Sequence, residues 1–152
     1  MSKTRKMDES FPALDELLCF SIYSAGHAFN QLYRPALDQI GLTYPQYLVL
    51  VVLWASNDRT VKEIGLALHL DSSTLTPLLK RLETAGYVTR NRDPADERQV
   101  RIRLTKKGEM LKEPARAIPK CAENAVDLPI ETIKRLLADV SSLRDMLVAK
   151  SS

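Results

Sequence analysis

TVKEIGLALHLDSSTLTPLLKRLETAGYVTRNRDPADERQVRIRLTKKG, residues 60–108, predicts a helix, a tight turn, a second helix and then a basic two-stranded hairpin. Thr60 and Glu63 stand at capping-box spacing, where each side chain satisfies the other's backbone N–H. Val61, Ile64 and Leu68 then mark one buried face. After a turn at His69-Leu70, Asp71 or Ser72 can cap a second helix, whose Leu75, Leu78, Leu79 and Leu82 repeat at helical spacing and must face inward. That leaves Ser72, Ser73, Thr76, Lys80 and Arg81 outside. Short hydroxyls followed by long cations suit a helix lying in a DNA groove, with base edges at one end and phosphates at the other.

Pro77 breaks a local rule, because it lacks the N–H that would bond the carbonyl of residue 73. Either the helix bends there, or it starts late with Thr76 as cap and Pro77 as its first residue. Ala85-Gly86 ends it, since glycine supplies a left-handed stop. Tyr87 to Arg92 and Val100 to Leu104 alternate as strands do, with Val88 expected on one side and Val100, Ile102 and Leu104 on the other. A polar loop, Asp93 to Gln99, joins them.

Residues 80–107 hold nine Lys or Arg against four acids, whereas the whole chain carries only +3. Positive charge is thus concentrated on the second helix and the hairpin, where Arg90, Arg92 and Arg98 join Lys80 and Arg81. This is the footprint of counterion release from a phosphate backbone. A merely solvated face is the bland alternative, and the adjoining helix-turn-helix weighs against it.

Around this core, 152 residues with 45% hydrophobic content amount to one domain, 1–152, with enough chain to bury a core. The start, MSKTRKMDES, has no apolar signal region, and no apolar run reaches membrane-spanning length, so a cytoplasmic protein without membrane contact is expected. Only the first ten or so residues look disordered. From Ala13 to about Leu37, the positions Leu14, Leu17, Leu18, Ile22, Ala25, Phe29, Leu32 and Ala36 trace one helical stripe. Thr43-x-x-Gln46, with Pro45 in the first turn, announces a helix over the YLVLVVLWA run, which by periodicity alone could be a buried strand. Thr105 can cap a helix that Pro114 and Pro119 should kink or divide. A last helix runs from about Pro129 to Ala149, with Ile133, Leu136, Val140, Leu143 and Leu147 close to a coiled-coil seam. Segments 13–40 and 105–149 therefore read as dimerisation helices. A homodimer would match a palindromic double-stranded DNA site, its second helices about 34 Å apart.

These residues carry a resemblance. Val88-x-Arg90, Asp96-x-Arg98, Ile102-x-Leu104-Thr105 and Gly108 resemble the wing of the MarR family of winged-helix repressors. Leu14-Asp15-x-x-Leu18-Cys19-Phe20-x-x-Tyr23-Ser24, Leu32-Tyr33-Arg34-Pro35, Gly41-Leu42-Thr43-Tyr44-Pro45-Gln46-Tyr47 and Leu75-Thr76-Pro77-Leu78-Leu79-Lys80-Arg81-Leu82-Glu83 look like its organic-hydroperoxide-sensing branch, the OhrR regulators. Together they cover most of residues 14–108. The resemblance implies a mainly α fold with a β wing, a winged helix-turn-helix whose second helix starts near Asp71 and tolerates Pro77. It also implies that Arg98, held by Asp96, reaches the minor groove, and that the regulator is usually a repressor.

Cys19 and Cys121 are the only cysteines, and a reducing compartment makes a structural disulfide improbable. Each could be an inert buried thiol. Tyr23 is one turn from Cys19, but Tyr33 lies about 21 Å further along a continuous helix, out of reach on the same chain. If Tyr33 and Tyr44 contact the sulfur, as the resemblance implies, they come from the other subunit. Asp15 and Glu16, four and three residues before Cys19, disfavour a thiolate, so phenolic donors would have to compensate. Phe20, Ile22 and Phe29 would admit the apolar tail of an organic hydroperoxide. The resemblance further suggests a disulfide from Cys19 to Cys121 of the opposite chain, although Cys121 could equally be core.

Two alternatives stand beside this reading. A thiol peroxidase needs a base, and His27, eight residues on, would lie about 12 Å away. His69 falls in the turn. The other is a repressor of the same family released by a noncovalent aromatic ligand. The scattered Cys and His lack metal-ligand spacing, and no cofactor is expected.

Overall fold

A computed structural model describes residues 10–152, so the expectation of disorder over the first ten or so residues falls almost entirely outside them. The described chain comprises two compact units, one reaching to Ile118 and the other Pro119–Ser152.

In the first unit a 3-10 turn, Leu14–Glu16, precedes α1, Leu18–Ile40. The single helix expected from Ala13 is therefore broken. Leu17 is extended, and the Glu16 carboxylate accepts the Ala13 N–H at 3.0 Å, closing a separate turn. Gly41, with φ +69°, ends α1 and lets the Leu42 N–H bond the Leu37 carbonyl at 3.1 Å. The Thr43/Gln46 capping box then forms as expected, and YLVLVVLWA belongs to a helix, α2, Tyr44–Ala55.

A two-residue strand that the sequence did not announce, β1, Arg59–Thr60, leads into α3, Val61–Leu68, with the Thr60/Glu63 box closed in both directions. His69 takes a left-handed conformation at the turn, φ 54°. Next comes α4, Ser72–Thr84, capped by Asp71, and Pro77 sits inside it, so the late start is excluded. The hairpin is β2, Val88–Arg92, and β3, Val100–Leu104, in a sheet of order β1-β3-β2. Val88 pairs with Leu104, Arg90 with Ile102 and Arg92 with Val100. Opposed residues of an antiparallel pair share a face. The expectation that Val88 and Ile102 face opposite ways is thus corrected: both are buried on one face, and Arg101 and Arg103 occupy the other.

Thr105 caps α5, Lys106–Met110, which is followed by α6, Lys112–Ala115, and α7, Ala117–Ala125. The prolines thus divide this segment as expected. The core of the first unit is Val49, Leu50 and Leu53 of α2, Ile64, four leucines of α4, Val88 and Ile102, all below a tenth exposed. Full burial of a side chain of this size contributes about 1.5–3 kcal/mol.

The second unit contains α8, Ile130–Ser151, which begins just after Pro129. None of its residues is buried, and Ile133, Leu136, Val140 and Leu147 of the predicted seam are all exposed. Among the described residues, no single helix is long and apolar enough to cross a membrane.

Candidate nucleic-acid interface and thiol site

The cap of α4 organises its leading turn. Asp71 Oδ1 accepts the Thr74 N–H and the Ser73 hydroxyl, each at 2.8 Å, and these bonds hold its carboxyl below the usual aspartate range. Ser72, Ser73, Lys80 and Arg81 are exposed as expected. Thr76 is only half-exposed, and its hydroxyl donates to the Ser72 carbonyl at 2.7 Å, so its donor is already used within the helix. Thr74 and Pro77, exposed beside these residues, complete the outer surface and were not anticipated there.

On the hairpin, Arg92 and Arg98 point to solvent, and the Arg98 side chain is 91% exposed. Asp96 Oδ1 accepts from the Arg98 N–H at 3.1 Å and from its Nε at 3.2 Å, which orients the guanidinium as the wing pattern requires. Arg90 departs from its expected place in the DNA-facing set. It is half-buried on the inner face, 3.7 Å from Glu83 of α4, with its Nε buried. Its cross-strand partner Ile102 lies in the core, and that register turns Arg90 toward α4.

Two other cations in the basic stretch are neutralised by acids. Arg101 donates from Nε to Asp58 Oδ1 at 2.7 Å, from Nη1 to Asp93 Oδ2 at 2.9 Å, and from Nη2 to the Asp58 carbonyl at 3.0 Å. Arg103 adds a contact to Asp58 at 3.1 Å. The Arg101 and Arg103 guanidiniums hold the Asp58 carboxyl below its ordinary range. Asp93 is lowered first by the Ala95 N–H and then by Arg101. This cluster ties the wing to the segment before α3. Its signal in the sequence was Asn57-Asp58 ahead of Arg59, a turn pair whose acid matches arginines at alternate positions 101 and 103.

Cys19 is the second residue of α1 and is exposed. Side chains of a helix lean toward its N-terminus, so the sulfur lies at the positive end of the aligned peptide dipoles. Asp15 and Glu16, expected one helical turn before Cys19 on the same helix, lie instead in the 3-10 turn that precedes α1, where Glu16 is bound to Ala13. Tyr23, one turn on, is exposed and stacks on His27 with ring centroids 6.3 Å apart. Leu18, 61% exposed, and Ile22 present apolar surface in the same turns of α1, and Phe29 does so further along the helix. Tyr33 lies elsewhere on α1, buried and stacked on Tyr44 with centroids 5.7 Å apart. Burial pushes the Tyr44 phenol up, and the Tyr47 phenol is raised by burial and then by Tyr44. Both therefore stay protonated donors at neutral pH. One chain thus brings Cys19 near Tyr23 and brings Tyr33 to Tyr44. Cys121 is half-buried in α7, in the second unit.

A capped helix presenting hydroxyls and cations, followed by a hairpin with an exposed, acid-oriented arginine, defines a winged-helix DNA-binding protein. The family model for the transcriptional regulators SarA/Rot matches residues 31–114. The chain is 48% identical over 151 residues to the HTH-type transcriptional regulator TtmR of Methylorubrum extorquens (strain PA1), covering 99% of this chain and 76% of that one. It is 42% identical over 138 residues to the organic hydroperoxide resistance transcriptional regulator of Bacillus subtilis (strain 168), covering 91% and 94%. Among solved structures, reduced AbfR bound to DNA superposes with a TM-score of 0.73 at 38% identity, covering 89% of this chain and 95% of that one. The disulfide form of AbfR gives a TM-score of 0.63 at 40% identity, covering 86% and 91%. The chain belongs to the SarA/MarR type of winged-helix transcriptional regulators, and it is a DNA-binding regulator rather than an enzyme.

Proposed function

We propose that this regulator is a homodimeric repressor that holds a palindromic operator in its reduced form and releases it when an organic hydroperoxide oxidises Cys19. The observation that carries this reading is the separation of the thiol from the phenols. Cys19 lies exposed in the first turn of α1 amid apolar side chains, while Tyr33 and Tyr44 form a stacked pair further along. A second copy packed on the exposed stripes of α1 and α8 would supply its Tyr33 and Tyr44 to the thiol. Sensor and dimer interface would then be one site. The B. subtilis relative is named for organic hydroperoxide resistance, and AbfR is described bound to DNA in reduced and in overoxidized form and separately in a disulfide form, which supports a redox-responsive regulator with the disulfide as its trigger.

The Cys19 thiolate sulfur bonds the terminal peroxide oxygen as the O–O bond breaks. The departing alkoxide takes a proton and leaves as the alcohol, so sulfur loses two electrons and the peroxide gains them. The Cys121 thiol of the second copy then attacks the sulfenic sulfur, forming S–S and releasing water. On DNA, Ser72, Ser73, Lys80 and Arg81 occupy the major groove, with Thr76 behind them, while Arg92 and Arg98, the latter held by Asp96, meet the backbone and minor groove.

Non-reducing electrophoresis after peroxide treatment tests the disulfide. A covalent dimer that is lost in Cys121→Ser supports it, and monomer throughout removes Cys121 from the mechanism. A second reading has one observation in its favour: a cleft of about 310 Å³ lined by Asn30, Arg34, Tyr44 and their neighbours could seat a noncovalent aromatic ligand. Release of Cys19→Ser from DNA by a phenolic compound alone would favour it.

A further inference from the structure

Five aromatic rings run in sequence from α1 to the base of the wing. Phe29 and Tyr33 have centroids 5.8 Å apart, Tyr33 and Tyr44 5.7 Å, Tyr44 and Tyr47 6.1 Å, and Tyr47 and Trp54 6.4 Å. All these spacings lie within the range in which ring pairs attract. The series ends in a directed bond: Trp54 Nε1 donates to the Gly108 carbonyl at 3.0 Å. Gly108 is itself locked against the wing. A Cβ there would come within 2.1 Å of the Tyr87 carbonyl, and its N–H bonds Thr105, whose hydroxyl donates to the Gly86 carbonyl. Tyr87 directly precedes β2, and Thr105 directly follows β3.

We propose that Tyr47 and Trp54 are positioning residues that couple the Tyr33–Tyr44 pair to the wing, so that the wing base follows the state of the phenols. This rests on the thiol-sensing reading above. Close-packed rings of fixed size cannot yield continuously when one member moves; they shift together or separate. A displacement of Tyr44 therefore passes along α2 to Trp54, and through its hydrogen bond to Gly108 of α5, which is packed against Tyr87 and Thr105 at the ends of the two wing strands.

Trp54 is the chain's one tryptophan, so its fluorescence reports this junction without a label. The experiment measures operator affinity before and after cumene hydroperoxide treatment for wild type, Cys19→Ser, Trp54→Phe, Tyr47→Leu and Tyr47→Phe. Circular dichroism confirms folding, and thiol titration confirms Cys19 oxidation. Wild type is expected to lose affinity by at least about tenfold, the order of a typical coupling. That ratio should fall to within about threefold of unity in Trp54→Phe and Tyr47→Leu, with Cys19 oxidised as fast as in wild type. Tyr47→Phe keeps the ring and should keep the ratio. Trp54 emission should change on oxidation of wild type and not of Cys19→Ser. A folded Trp54→Phe with the wild-type ratio overturns the coupling, whatever the emission does, and leaves the thiol-sensing reading standing. A wild type that keeps its affinity after Cys19 is oxidised overturns that reading, and the coupling with it.

Discussion

Arg101 and Asp58, 43 residues apart in sequence, meet through a 2.7 Å hydrogen bond from Nε to Oδ1. The bond fixes β3 to the turn before β1, and Asp58 holds that turn in a left-handed conformation, φ 62°. Asp93 closes the cluster from the start of the wing loop. These arginines serve the wing by placing it, whereas Lys80, Arg81, Arg92 and Arg98 are left exposed.

A pH dependence follows. Asp58 and Asp93 both have folded-state pKa values below the ordinary 3.8, so their contribution to stability is fully present above that value and is lost as pH falls through the lower, folded ones. Thermal unfolding followed by circular dichroism should show a midpoint that is level above about pH 5 and drops below about pH 4. Asp58→Asn should lower the midpoint at neutral pH and make the acid limb shallower.

Arg98→Ala should weaken operator binding about tenfold and reduce the salt slope of log affinity by about one, because one phosphate or groove contact is lost. With a side chain 91% exposed and bonded only to its near neighbour Asp96 among the described residues, its loss should leave folding unchanged. Arg90→Ala should behave in the opposite sense, costing stability through its place beside Glu83 more than it costs DNA affinity at fixed folded fraction. Fluorescence anisotropy with labelled operator, paired with urea unfolding, separates the two.

Gly108→Ala should destabilise the fold by about 2 kcal/mol, in the range for forcing extra atoms into packed structure. The added carbon meets the Tyr87 carbonyl, a backbone group with little freedom to move. Urea denaturation at neutral pH measures the loss.

The exposed apolar stripes give a test of assembly. Leu18, Ile22 and Phe29 on α1 are exposed, and so are Leu136, Val140 and Leu147 on α8, which suits each helix to pairing with a second copy. Sedimentation should find wild type dimeric, and Ile22→Asp with Leu136→Asp monomeric and weakly DNA-binding, since two half-sites then bind independently.

What was legible in the sequence was local. The capping boxes at Thr43/Gln46 and Thr60/Glu63, the Gly86 stop and the leucine face of α4 are each set by residues within one or two turns, and each formed as its spacing demanded. Pro77 needed the resemblance, since its local rule favoured two outcomes. The strand face was misread because facing depends on register, and the register of Val88 with Leu104 is set by pairing across a loop. The bonds of Arg101 to Asp58 and Asp93 and of Trp54 to Gly108 join positions that no periodicity links. The setting of Cys19 was misread, because the break at Leu17 puts it at a helix start instead of inside a longer helix begun at Ala13.

In the function proposed above, oxidation of one sulfur, that of Cys19, controls DNA binding. Operator affinity measured on wild type and Cys19→Ser before and after cumene hydroperoxide, with mass spectrometry of the same samples, tests it most directly. Wild type should gain oxygen or a disulfide at Cys19 and lose the operator, while Cys19→Ser should stay bound throughout. Release of Cys19→Ser by peroxide, or retention of the operator by wild type fully oxidised at Cys19, would contradict it.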